Sequence, residues 1–387
     1  MLRVGINGLF LGSIDTGIGQ YTLSLIKGLN AHGDGLHPVI FVDSSGERLL
    51  SDLRIDTRLE HVTISHRHWK HEILNAVSFE RAMESAARTY AVQLVHSPYP
   101  LFHSIKSGIK YVATVHDTIP SLFKKYRGGT IRNAFLCKSE RNLQHANSII
   151  TVSHYSKRDL IKYLCLEESK IHVIYEWVDE LFNPQPVLDV DLRSFRRRHK
   201  IPDQFLLYIG GFDYRKNVGT LLKAFALLKH NHNIANKLVL AGRYSPTRKQ
   251  LKNGLVEDIV NSVRQLGIER DVVCTGYIPQ IELPLLYKSA ILSVYPSLYE
   301  GFGLPLLEAM SCGTPVLASS TSSIPEVLPN QNLLFDPNDV VSLSEKIRLF
   351  LERDELRRYF SKWGIERASF FNRDKIITRT KEAYLSA

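Results

Sequence analysis

The 387-residue chain is 44% hydrophobic and 23% charged, an ordinary globular balance, and its length suits two domains of about 150–200 residues rather than one core. It has no run near the ~18 apolar residues of a spanning helix, no signal-peptide-like start after Met1, and four scattered cysteines (Cys137, Cys165, Cys274, Cys312) without a C-x-x-C pair. These features point to a cytoplasmic protein and speak against a zinc site or a disulfide framework. The net charge of +10 serves either solubility or attraction to an anionic membrane face or a polyphosphate ligand. No nucleic-acid partner is expected, because no helix-turn-helix, zinc knuckle or RNP-like strand is apparent.

In chain order, residues 3–6, 39–42, 94–96, 111–115 and 148–152 read as short buried strands. Helical patterns at 22–29, 72–90 and 131–144 separate several of them. Such alternation predicts a parallel sheet covered on both faces. Asn183-Pro184-Gln185-Pro186 interrupts the pattern, and a basic stretch at 193–200 follows as a solvated linker or first helix. The alternation then restarts. Strands are expected at 205–209, 237–241, 272–275, 290–294, 315–318 and 333–335, helices at 220–228 and 256–266, and one polar helix at 362–385. The predicted fold class is α/β, with two Rossmann-like domains whose parallel sheets face a cleft. Ligands of open parallel sheets bind beyond the carboxyl ends of the strands.

The most informative run is Ser297-Leu298-Tyr299-Glu300-Gly301-Phe302-Gly303-Leu304-Pro305-Leu306-Leu307-Glu308. Its glycines let backbone approach a ligand, Pro305 suits a first helical turn, and a helix starting here aims amides at an anion such as a diphosphate. Glu300 would sit in the preceding loop to accept hydrogen bonds from hydroxyls, and Glu308 one turn in, within reach of a diol. The alternative is a surface turn with a helix-supporting glutamate. Gly210-Gly211-Phe212-Asp213-Tyr214-Arg215-Lys216-Asn217 ends a predicted strand, so Arg215 and Lys216 can neutralise a departing diphosphate, or simply start a basic helix. His116-Asp117 follows another strand, as a site histidine or a satisfied loop pair. Gly17-Ile18-Gly19 opens the first helix, where an acceptor or phosphate would approach. Ser153 is expected to cap a helix.

Glu300 and Glu308 in this setting resemble the E-x7-E motif of the family 4 retaining glycosyltransferases, which have the GT-B fold. The similarity extends through Cys312-Gly313-Thr314-Pro315-Val316, Pro325-Glu326-Val327 and Leu333-Leu334-Phe335-Asp336-Pro337. It implies that Glu300 contacts the donor sugar, Glu308 the ribose, and the backbone of Gly301, Phe302, Gly303 and Leu304 the phosphate and sugar oxygens. His116 matches the family's active-site histidine. Gly211 stands where the family often has arginine, which leaves Arg215 beside Lys216 to supply the charge. Ile278 of Tyr277-Ile278-Pro279 and Arg243 are placed near base or phosphate. One departure is Glu176-Trp177-Val178-Asp179, where relatives usually read Asn-Gly-Val-Asp.

The resemblance further implies an acceptor-binding domain at 1–185, a nucleotide-sugar domain at 186–364 and a C-terminal helix at 365–387 that packs back on the first domain. Among relatives, the Gly-Ile-Gly-x-Tyr, His-Asp-x-x-Pro and Arg-Lys-Asn segments are similar to mannosyltransferases of polysaccharide and O-antigen assembly. They imply transfer from GDP-mannose to a glycan or lipid-linked acceptor, with no metal or other cofactor and front-face substitution. UDP-glucose-type donors, an epimerase on the same fold and a non-catalytic nucleotide-sugar binder are the alternatives. Peripheral contact with the inner membrane face is expected through the basic segments 66–71 and 124–127.

Overall fold

The computed structural model describes residues 1–14, 16–32, 35–52, 59–66, 72–101 and 108–387. The chain forms two compact units, Met1–Glu176 with Asn372–Ala387, and Trp177–Phe371. The first break precedes the proline-containing segment, because that segment is tied to the second unit. Phe182 is buried edge-on against Tyr287, and Lys288 Nζ donates to Gln185 O at 2.7 Å.

Among the described residues, the first unit holds a seven-stranded sheet. Its strands are β1 (Leu2–Asn7), β2 (Leu36–Val42), β3 (Glu60–Thr63), β4 (Leu94–Ser97), β5 (Lys110–Val115), β6 (Ser148–Thr151) and β7 (Ile171–Val173). They lie in the order β3-β2-β1-β4-β5-β6-β7, with every pair parallel. Phe41, Val95, Ala113 and Ile149 are buried on the sheet and pack with Phe79 and Met83 of helix Glu72–Thr89. Strands β3 and β7 escape a hydropathy reading: Glu60-His61-Val62-Thr63 is an edge strand with partly exposed side chains, and β7 is only three residues long.

The second unit repeats the plan with β8 (Phe205–Ile209), β9 (Lys237–Ala241), β10 (Val272–Gly276), β11 (Leu292–Tyr295), β12 (Val316–Ser319) and β13 (Leu334–Phe335). These run β10-β9-β8-β11-β12-β13, again all parallel. Both sheets therefore follow the doubly wound order, with a topological switch point between β1 and β4 and another between β8 and β11.

The expected helix at 362–385 is two helices, Asp354–Ser369 and Arg373–Ser386. The chain breaks at Phe370-Phe371-Asn372, where Asn372 Oδ1 accepts from the amides of Asp374 and Lys375 and starts a new helix. Residues 365–369 thus stay with the second unit, where Gly364 lets their helix lie close to Met310. The basic stretch is the end of helix Asp189–Arg198, with Asp189 and Asp191 in its first turn and Arg196, Arg197 and Arg198 in its last, as the helix dipole favours. Among the described residues, no helix is long and apolar enough to cross a membrane.

Candidate functional site

In the second unit, the loops after β8 and β11 meet at the switch point. Asn217 is the joint between them. It takes a left-handed conformation (φ 53°) between the turn Tyr214–Lys216 and helix Val218–His232, and its Nδ2 donates to Pro296 O at 3.0 Å and Pro337 O at 2.9 Å. Leu298 N donates to Arg215 O at 2.7 Å, which sets the two loops in register.

That register brings Arg215 and Lys216 onto Glu300. Lys216 Nζ lies 2.7 Å from Glu300 Oε1, and Arg215 Nη1 lies 2.9 Å from Glu300 Oε2. Arg215 Nε is itself steadied by Asp213 at 3.1 Å. Ser297 Oγ donates to Glu300 Oε1 at 2.6 Å. Burial alone would raise the Glu300 carboxyl, whose side chain is 13% exposed, but Lys216, Arg215 and Ser297 outweigh it and hold the group down at about 2. Glu300 is a fixed carboxylate, and in this state it is the counter-ion of the two cations expected to take diphosphate charge.

Helix Leu304–Ser311 begins after this loop with Pro305 in its first turn. Its N-cap, Gly303, has φ 106°, a conformation that favours glycine, and no side chain caps the helix. Pro305 has no N–H, and the amides of Leu306 and Leu307 both point back to Gly303 O, so Leu304 N is the first-turn amide that can face an external anion. Ser322 and Ser323, which the sequence reading missed, shape the loop from beyond β12. Ser322 Oγ accepts from Glu300 N at 2.9 Å, and Ser323 Oγ donates to the carbonyls of Glu300 and Phe302. The Phe302 side chain is buried edge-on against Phe371, so only its backbone is left to serve a ligand. Gly301 lies in the same loop.

Glu308 is buried in the second turn of the helix, with Tyr287 Oη donating to its Oε2 at 2.8 Å. Gly211 follows β8, and its carbonyl accepts from Tyr208 Oη. Arg243, exposed after β9, lies over the Tyr277 ring at 4.7 Å, while the neighbouring Ile278 is buried. This contact is a cation–π pair.

In the first unit, His116 stands just beyond β5. Its Nδ1 is 3.0 Å from Glu176 Oε1, and its Nε2 is 3.0 Å from Pro98 O. Tyr21 packs edge-on against the ring at 4.6 Å. Behind Tyr21 runs a buried hydrogen-bonded chain: Tyr21 Oη to Thr114 Oγ1 (3.0 Å), Thr114 to His96 Nε2 (2.8 Å), and His96 Nδ1 to Tyr384 Oη (2.7 Å). Burial pushes His96 down to about 3, so this ring is neutral. Phe10, Ile18, Tyr99, His116, Asp117 and Pro120 line part of a cavity of about 260 Å³.

The two N-terminal glycines differ. A side chain at Gly17 would meet open space, whereas a Cβ at Gly19 would lie 2.3 Å from Ser13 O. Gly19 is thus required by the close approach of helix Gly17–His32 to the turn before it, which accounts for it without a ligand. Ser153 caps helix His154–Leu164, accepting from Ser156 N at 3.0 Å. Of the two basic segments, residues 67–71 lie outside the described residues. In the other, Arg127 Nε donates to Pro120 O at 2.9 Å, and the guanidinium lies 3.6 Å from Glu140.

Two doubly wound units, one with a carboxylate, two cations and an uncapped helix start at its switch point, define the class: a glycosyltransferase of the GT-B type. Comparison with known proteins agrees. Residues 16–180 match Glycosyltransferase Family 4, and residues 191–367 match Glycosyl transferases group 1. The O-antigen chain mannosyltransferase B of Escherichia coli is 30% identical over 394 residues, covering 95% of this chain and 96% of that one. The serotype-specific mannosyltransferase WbdA of Escherichia coli is 30% identical over 63% of this chain and 29% of its own length. Among solved structures, Anabaena HepE in complex with UDP and glucose superposes with a TM-score of 0.75 over 100% of both chains at 18% identity. The chain belongs to the family 4 glycosyltransferases.

Proposed function

We propose that this enzyme transfers mannose from GDP-mannose to a glycan or lipid-linked acceptor in polysaccharide assembly, with retention of anomeric configuration and without a metal. The observation that carries the donor site is the clamp of Lys216 and Arg215 on Glu300 at the start of an uncapped helix. A diphosphate arriving there finds two cations and the Leu304 amide at the helix start placed for charge that develops on the leaving group. Glu300 then turns to the donor sugar's hydroxyls. Glu308, steadied by Tyr287, is the candidate partner of the ribose diol.

Mannose as the sugar is supported by several mannosyltransferases that match at 30% identity, the two named above among them. For retention, the reading is front-face substitution, in which the departing phosphate takes the acceptor's proton. A lipid-linked acceptor would place the enzyme at the cytoplasmic face of a membrane; sedimentation with anionic vesicles tests that contact.

A thermal-shift screen of GDP, UDP, ADP and their sugar conjugates, with and without EDTA, tests the donor assignment. The reading expects stabilisation by the guanosine series, unchanged by EDTA. Stabilisation by the uridine series alone would overturn the donor identity, and a flat response would overturn the donor site. The anomeric configuration of product formed from 13C-labelled donor, read by NMR, tests retention.

A further inference from the structure

Glu176, the last residue of the Met1–Glu176 segment, lies against His116 just beyond β5. Glu176 presents Oε1 to His116 Nδ1 at 3.0 Å, with side chains only 13% and 18% exposed. On the other side of the ring, Nε2 faces the carbonyl oxygen of Pro98, also at 3.0 Å. Neither oxygen can donate: a carboxylate and a backbone carbonyl are both acceptors. A neutral imidazole carries one N–H and one lone pair, so it would set a lone pair against an oxygen on one side. With Glu176 ionised, only the doubly protonated ring satisfies both contacts, and its bond to Glu176 is then a charge-assisted one.

We propose that Glu176 is the positioning residue of His116, holding the ring as a two-donor imidazolium whose Nε2–H is aimed away from the carboxylate. Glu176 touches no reacting atom and acts through the ring. His116 then serves the site by donating a hydrogen bond from Nε2, exchanging Pro98 O for a substrate oxygen, and takes no proton. An asparagine in its place would also accept a hydrogen bond but carries no charge, so it would orient the ring without favouring the cation. The other ionisable groups around the ring do not replace Glu176. Tyr21 meets it edge-on from helix Gly17–His32, and His96 on β4 is neutral. Asp117 accepts from Ile119 N at 2.9 Å, and Glu140 accepts from Ser121 Oγ at 2.7 Å.

The arrangement is tested on the full-length chain labelled with 15N-histidine, with the His116 signals assigned by their loss in His116→Gln. At pH 7 the wild type is expected to show two protonated-type ring nitrogens. Glu176→Gln and Glu176→Asn should show one protonated and one unprotonated nitrogen, and Glu176→Asp should restore the wild-type pattern. A neutral His116 in the wild type, or an unchanged pattern in Glu176→Gln, would overturn the proposal. Thermal melts of the variants separate misfolding from loss of the pair, and Glu176→Asp keeps the test open if the amides do not fold.

The consequence for catalysis rests on the transferase reading, whereas the ring's protonation does not, so the two fail separately. In transfer assays, the pH profile of kcat/KM should change in Glu176→Gln relative to the wild type and be restored in Glu176→Asp. Coincident profiles would mean that Glu176 has only a packing role.

Discussion

Lys216 and Glu300, 84 residues apart in sequence, meet at 2.7 Å because Asn217 and Leu298 lock the loops after β8 and β11 together. The lysine that should receive a diphosphate is therefore neutralised before the ligand arrives. At the proposed donor site, ligand binding would be an exchange of partners, with no uncompensated cluster of one sign left behind.

Lys216→Ala should lower turnover by about 10²–10³-fold, the range for loss of one preorganised charge-stabilising donor. Arg215 remains on Glu300, so the loss should appear in kcat more than in folding. Steady-state kinetics with a saturating acceptor, alongside a denaturation curve, separate the two effects. An equal fall in stability would assign the lysine to scaffolding.

The depressed Glu300 carboxyl makes a definite contribution to acid stability. Its folded value of about 2 lies below the ordinary glutamate value, so its contribution is fully present above about pH 5 and disappears as pH falls towards 2. The contribution is at most about 3 kcal/mol by that linkage. Stability measured by urea denaturation between pH 5 and 3 should fall less steeply in Glu300→Gln than in the wild type.

Glu257 has the opposite sign. Burial raises it to about 7, although Gly219 N donates to Oε2 at 2.7 Å. Its favourable neutral state is fully present below the ordinary glutamate value and is lost as pH rises through about 7. Glu257→Gln keeps an acceptor for Gly219 and removes the charge, so it should be more stable than the wild type at about pH 8, with the difference shrinking as pH falls from there to below about 5. Chemical denaturation across that pH range checks this.

The N-terminal glycines separate packing from ligand access. Gly19→Ala should destabilise the first unit through its 2.3 Å approach to Ser13 O, whereas Gly17→Ala meets open space and should fold normally. If Gly17 admits a substrate, its alanine variant loses activity at unchanged melting temperature. Unchanged activity would remove Gly17 from the site.

Tyr384→Phe should cost about 1–3 kcal/mol, the usual penalty for a buried polar group left without its partner. It removes the hydroxyl on His96 Nδ1 that ties helix Arg373–Ser386 to β4. Equilibrium denaturation followed by circular dichroism measures the loss.

The alternation of apolar runs and helices was enough to read two parallel sheets, because buried strands such as Phe205–Ile209 are nearly continuous hydrophobic stretches. Edge strands with polar partners, such as Glu60–Thr63, carry no such signal. The break at Phe370-Phe371-Asn372 was equally hidden: its signal is one capping asparagine within a helix-compatible composition. At the site, Glu300, Arg215 and Lys216 could be named from motif and charge. Their mutual pairing depends on serines and an asparagine on three loops, which local sequence does not connect. Glu176 was visible only as a departure from relatives, and its meaning comes from the ring it faces.

Isothermal titration of GDP-mannose into wild type, Lys216→Ala and Glu300→Ala tests the central claim most directly. The account predicts saturable binding to the wild type, at least about 10-fold weaker in Lys216→Ala, consistent with a lost charged hydrogen-bond contact of at least ~1.4 kcal/mol. Binding of equal strength in all three proteins would contradict the placement of the donor at the Lys216–Glu300 clamp.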